Sequence, residues 1–264
     1  MQDYKEKNQI SHYFKFGFNA LFDSFNQTIL VVIFITLPIA VIAYSIQPEI
    51  TSIVRDKSDI SFFLISKWLF SQAILRIVSI FVFILVILRL ELQRKGEEIF
   101  WDFSLGFASL KKIILVDFSY YFGLQIFIII ALVFINLLLA SLLAPSGFTL
   151  LLSFSLVFFA AIVPFVRYYF CTFYVLLKQS EFVDSFKKAK NLSKDSEIKI
   201  FKLVFIYYVF TVFVLLFLSS IFGSSLFSQI ILHTLISILF VPYCYAGYSL
   251  FFDLEEEKDR VTKE

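Results

Sequence analysis

Between Asp117 and Arg167 the chain carries no Asp, Glu, Lys, Arg or His. Most of two apolar runs, 113–143 and 149–177, falls inside that interval. They are joined by Ala144-Pro145-Ser146-Gly147, turn-forming residues without charge. About 20 consecutive apolar residues suffice to cross a hydrocarbon core roughly 30 Å thick. Four further runs approach or exceed that length, so the pattern predicts an all-α integral membrane protein. Its six transmembrane helices are expected at roughly 27–46, 68–90, 113–143, 149–177, 201–222 and 227–250. The third and fourth are long enough to tilt or to extend past the bilayer. Composition agrees: charged residues make up 17% of the 264 positions, against the usual quarter in soluble domains.

Orientation follows the Lys/Arg bias of short loops. Arg94, Lys95, Lys111 and Lys112 crowd the connection 90–112, and seven lysines lie between 178 and 202. The connections 144–147 and 223–225 carry no charge. The lysine-rich side is therefore expected to be cytoplasmic and to hold both termini, with 253–264 as a charged cytoplasmic tail. Segment 47–67 then faces out although it contains Arg55, Lys57 and Lys67. The net charge of +2 suggests no nucleic-acid partner. Cys171 and Cys244 lie in apolar runs and form neither a disulfide framework nor a metal motif. No cofactor is expected.

Each pair of runs is preceded by an amphipathic stretch. Phe14, Phe18, Leu21, Phe22 and Phe25 repeat at offsets of 4, 7, 8 and 11, one stripe of a helix. Ile99, Phe103, Gly106, Phe107 and Leu110 repeat at the same offsets, and Phe182, Phe186 and Ala189 form a shorter third copy. The third is also the most basic, with Lys187, Lys188 and Lys190. Such helices lie in the headgroup plane, aromatic face toward the acyl chains and lysines toward anionic lipid. The chain thus reads as one polytopic domain, 1–264. It divides into three units of interfacial elbow plus helical hairpin, 11–90, 97–177 and 181–252; elbows of independent origin give the same pattern. The elbows either anchor the hairpins or also recruit lipid or a partner.

The stretch YYFCTFYVLLKQSEFVDSFKKAKNLSKD, 168–195, and the C-terminal PYCYAGYSLFFDLEEEKD, 242–259, resemble the bacterial membrane-domain family related to glycerophosphodiester phosphodiesterase membrane regions. Phe252, Asp253 and Leu254 occupy the boundary where that family ends its last, proline-led helix. Here Ser185-Phe186-Lys187-Lys188-Ala189-Lys190 replaces a more Ala/Arg/Ser-like elbow. The resemblance implies a six-helix membrane module without the soluble phosphodiesterase domain of fused members.

Ionisable residues within the spans are where chemistry is expected, since burying an unpaired charge there is costly. These are Arg76, Asp117, Arg167 and His233; Gln125 and Asn136 are the polar midplane groups. Asp117 and Arg167 enter from one side at depths about 8 Å apart, at about 1.5 Å per residue. A pair between them would brace the hairpin or line a polar cavity. Arg76 is expected to snorkel toward Lys67 and Trp68, and His233 to be hydrogen-bonded near its helix end. No HExxH and no glycine-rich phosphate loop occurs, so neither zinc hydrolysis nor ATP binding is expected. Two functions remain. One is a non-enzymatic scaffold or accessory subunit of the bacterial inner membrane, contacting the anionic inner leaflet, a second copy or a membrane-complex partner. The other is a transporter component for a small or lipidic solute.

Overall fold

The computed structural model describes residues 10–23, 25–46, 62–97, 101–142, 147–222 and 225–263. Among them are nine helices and no strand. They are α1 (Ile10–Asp23), α2 (Phe25–Ile46), α3 (Phe62–Lys95), α4 (Phe103–Leu142), α5 (Gly147–Arg167), α6 (Cys171–Lys178), α7 (Phe182–Ser193), α8 (Glu197–Phe222) and α9 (Leu226–Lys263). The chain is an all-α membrane protein. Among the described residues five segments are long and apolar enough to cross a bilayer: Phe25–Ile46, Leu69–Lys95, Ser155–Lys178, Glu197–Ile221 and Leu226–Arg260. The expected third run lies in α4, whose clearly apolar part among the described residues is Ile126–Leu139. Ile99, most of the connection 47–67, and the turn residues 144–146 and 223–224 lie outside the described residues.

Two compact units share the chain, Met1–Leu110 with Phe205–Leu250 and Lys111–Val204 with Phe251–Glu264. Their boundaries fall within α4, α8 and α9.

In the first unit α2 packs on α3. Because lipid tails are as apolar as leucine, helix contacts in a bilayer depend on small residues that allow close approach. Thr28, Thr36, Ala40 and Ala43, with Val32 and Ile35, form the inward side of α2, whereas Leu30, Phe34 and Ile42 face out. Ala40, Ala43, Leu75 and Ile230 make one buried cluster. Thr36 loses nothing by burial, because Oγ1 donates to Val32 O at 2.7 Å. The same logic governs α1, whose buried residues are Tyr13, Gly17 and Leu21. Phe14 and Phe18 are half-buried, and Phe22 and Phe25 are exposed. A Cβ at Gly17 would stand 2.2 Å from Pro242 O, so α1 meets α9 backbone to backbone.

The second amphipathic stretch is not a separate elbow. Phe103–Leu110 forms the opening turns of α4, which continues without a break to Leu142. Leu110-Lys111-Lys112-Ile113 contains no residue that stops a helix. Gly106 fits against Leu85 and Phe81 of α3, and the Phe107 ring lies 4.6 Å from that of Phe81.

In the second unit the expected span 149–177 is two helices, α5 and α6, divided by a turn at 168–170. At about 1.5 Å per residue, the 21 residues of α5 alone reach about 31 Å, enough for one crossing. Residues 253–263, expected as a charged tail, continue α9 as helix. Phe251 is fully buried among Phe170, Phe173 and Tyr174, with ring centroids 5.5, 5.6 and 5.1 Å away. Beyond this aromatic core, Lys178 Nζ meets Glu255 Oε2 at 2.7 Å and Lys199 Nζ meets Glu257 Oε2 at 3.3 Å. Lys258 Nζ donates to Asn191 O.

Candidate functional site

The site grows from a proline. Pro164 has no N–H to give to the turn before it, and three residues later α5 ends at Arg167. In the turn that follows, Tyr168 N–H donates to Pro164 O and Tyr169 N–H to Val166 O. Phe165 O receives the Tyr120 hydroxyl of α4 instead, at 2.7 Å. The backbone interruption is thereby tied to α4. The chain re-enters helix at Cys171 and leaves it through Gln179, whose left-handed φ of 48° ends α6. Lys194, Asp195 and Ser196 then separate α7 from α8, with Asp195 at φ 71°.

α7 carries three kinds of surface. Ser185, Ala189, Leu192 and Ser193 are buried and pack on α5 and α6. Phe182 and Phe186, expected to define the apolar stripe, flank this buried face. Phe186 is half-buried, its ring 5.6 Å from Tyr168 and 5.2 Å from Phe182, while Phe182 and Val183 are exposed. Lys187, Lys188 and Lys190 are exposed as well. Lys188 is engaged by Asp184 at 2.7 Å and Ser180 at 3.2 Å.

An open cleft of ≈ 480 Å³ lies between α4, α5 and α7. Arg167 and Lys190 sit at its polar end, and Gly123, Leu124, Phe127 and Val163 line its apolar part. The structure gives Arg167 another partner than the expected Asp117: its Nε donates to Glu197 Oε1 at 2.9 Å. The break at 168–170 ends α5 at this arginine, where the guanidinium reaches the first residue of α8. Asp117 is only 6% exposed and lies within electrostatic reach of Cys171. A second hollow of ≈ 330 Å³, lined by Tyr174, Lys178, Lys188 and Lys258, already contains the Lys178–Glu255 bridge.

Arg76 is half-buried on α3 and engaged by a neighbour. His233 stacks edge-on with Tyr44 at 6.0 Å. Contrary to expectation its Nε2 finds no hydrogen-bond partner among the described residues, and Ser237 donates to the His233 carbonyl, not to the ring. The side chains of Gln125 and Asn136 lie outside the described residues. No group of three metal-ligating side chains occurs among those described.

One charged residue escaped the sequence reading. Arg89, near the end of the second apolar run, is 6% exposed in the first unit. It donates to Thr28 Oγ1 at 3.0 Å and Gln27 Oε1 at 3.3 Å, and its guanidinium lies 4.6 Å from the Trp101 ring centre. Neutral acceptors and an aromatic face hold this cation. Two residues further on, Glu91 accepts from Tyr248 at 2.7 Å and Arg94 at 2.8 Å. The usable signal was Gln27-Thr28 opening a run opposite an arginine that closes one.

No family model matches the chain, and no curated protein or solved structure matches it either.

Proposed function

We propose that the chain is a six-span, non-enzymatic protein of the bacterial inner membrane. In this reading the lysine-rich side, with both termini, is cytoplasmic, and the amphipathic stretches contact the anionic inner leaflet. The protein would serve as a scaffold or accessory subunit, alone, as a homo-oligomer or in a membrane complex. Membership of the glycerophosphodiester phosphodiesterase membrane-domain-like family belongs to the same proposal and rests on the sequence patterns at 168–195 and 242–259.

The observation that carries the reading is a shared division of faces. At offset 7 in each stripe Leu21, Gly106 and Ala189 are all buried. At the next position Phe22 and Phe107 are both 63% exposed, and Lys190 is exposed in the third copy. Residues that pack on protein and residues offered to lipid or headgroup thus alternate at the same offsets.

The test uses spin-labelled lipids in reconstituted vesicles. A lysine at an anionic surface attracts about 1 kcal/mol of interaction, roughly a five-fold preference for a lipid held by one of them. Labelled phosphatidylglycerol should be enriched over phosphatidylcholine at the protein surface, and the preference should fade at high salt. It should also fall in the Lys187→Gln/Lys194→Gln variant. Equal association at low salt would sink the elbow reading. The helix break at 168–170 favours the transporter alternative, because interrupted helices commonly line solute sites. Solute flux in the same vesicles, abolished by closing the cleft, would favour that alternative.

A further inference from the structure

We infer that the cleft between α4, α5 and α7 holds one anionic phospholipid. Its phosphate would lie at Arg167 and Lys190, and one acyl chain would run past Gly123. The inference rests on the lipid-contact reading above and narrows it to a single stoichiometric site.

Charge is the first argument. Among the described residues Arg167 is held through Nε alone, by Glu197, so the terminal nitrogens of its guanidinium stay available. Guanidinium is suited to phosphate oxygens because its donors are planar and paired. Lys190 lines the same cleft and is exposed. Two cations against one carboxylate leave a single positive charge, the complement of one phosphodiester.

Shape is the second. Away from Arg167 and Lys190 the walls are mostly apolar, with Ser119, Tyr120 and Tyr168 as the other polar residues and the Tyr120 hydroxyl already bonded to Phe165 O, and Phe127 and Val163 remain exposed there. Free phosphate could use only the cationic end, whereas a phospholipid uses both ends. The volume of ≈ 480 Å³ falls within the ordinary range of ligand sites, about 300–1,000 Å³. Gly123 interrupts the wall of α4, and a Cβ built on it meets no atom within 4 Å. The gap is therefore open for an acyl chain and is not occupied by neighbouring side chains.

The experiment is native mass spectrometry of the full chain extracted in mild detergent, followed by titration with phosphatidylglycerol in mixed micelles. One phosphatidylglycerol per chain should survive purification. Arg167→Gln and Lys190→Gln should each weaken retention by about ten-fold or more, the usual cost of losing a charge-assisted phosphate contact. Gly123→Leu should abolish retention by filling the acyl slot, with helix content and elution unchanged. Lys188→Gln, which removes a lysine already bonded to Asp184, should retain lipid normally. Absence of bound lipid from the native chain would overturn the site, as would normal retention in Gly123→Leu. Displacement by inorganic phosphate as effective as by phosphatidylglycerol would also overturn it. If the general preference for anionic lipid persists while stoichiometric binding is absent, the elbow reading stands and the cleft site alone is wrong.

Discussion

Phe251→Ala is expected to destabilise the second unit by about 3–5 kcal/mol, the range for removing a fully buried phenylalanine. The ring lies nearly parallel to Phe173, with an interplanar angle of 20°, and edge-on to Tyr174 at 78°. Aromatic pairs of this kind add about 0.5–1.5 kcal/mol beyond the area they bury. The loss should register in reversible unfolding of the reconstituted protein and in protease access to α7. Phe34→Ala, which truncates a side chain 80% exposed on α2, provides the contrast and should be nearly silent. If the two variants unfold alike, the aromatic core at the charged end is not a structural centre.

Gly17→Val is the second substitution expected to have a large effect. The obstructing atom is the Pro242 carbonyl oxygen, which belongs to backbone and cannot turn aside as a side chain would. Relief requires α1 to move off α9, at a cost of about 1–3 kcal/mol or more for overpacking. Gly123→Val, with open space at its Cβ, should leave the melting temperature nearly unchanged. A Gly17→Val protein as stable as the native one would mean that α1 does not pack at Pro242.

The comparison of Gly17 with Phe18 also explains what could be read in advance. Long apolar stretches announce membrane helices because the bilayer dictates their length, and five such segments are present among the described residues. The inward face of each helix was harder to read. In a soluble protein the apolar stripe points to the core. In a bilayer lipid accepts the same side chains, so Phe22 and Phe107 face out while Gly17, Gly106 and Ala189 pack inward. Small residues within the stripes therefore marked the inward face better than the phenylalanines did, although Tyr13, Leu21 and Leu192 are buried beside them. Pro164 weakens the helix locally, but the carbonyl freed at the break between α5 and α6 is taken up by Tyr120 bonding to Phe165 O, a contact across 45 positions that no local pattern encodes. The end of α9 was obscured by its charges. Glu255, Glu257 and Lys258 suggested a solvated tail, although Leu254 beside them is buried.

The central claim is that α7 presents one face to protein, one to lipid and one to water. Single nitroxides placed at Phe182, Val183, Asp184, Lys187 and Asn191 of the reconstituted protein test it directly. The two native thiols, Cys171 and Cys244, are buried and can first be replaced by alanine. The account predicts that labels at 182 and 183 relax preferentially with oxygen, which concentrates in the bilayer. Labels at 184, 187 and 191 should respond to a water-soluble nickel chelate. Uniform nickel accessibility around the helix would contradict the account and leave α7 a solvated segment with no seat on the membrane.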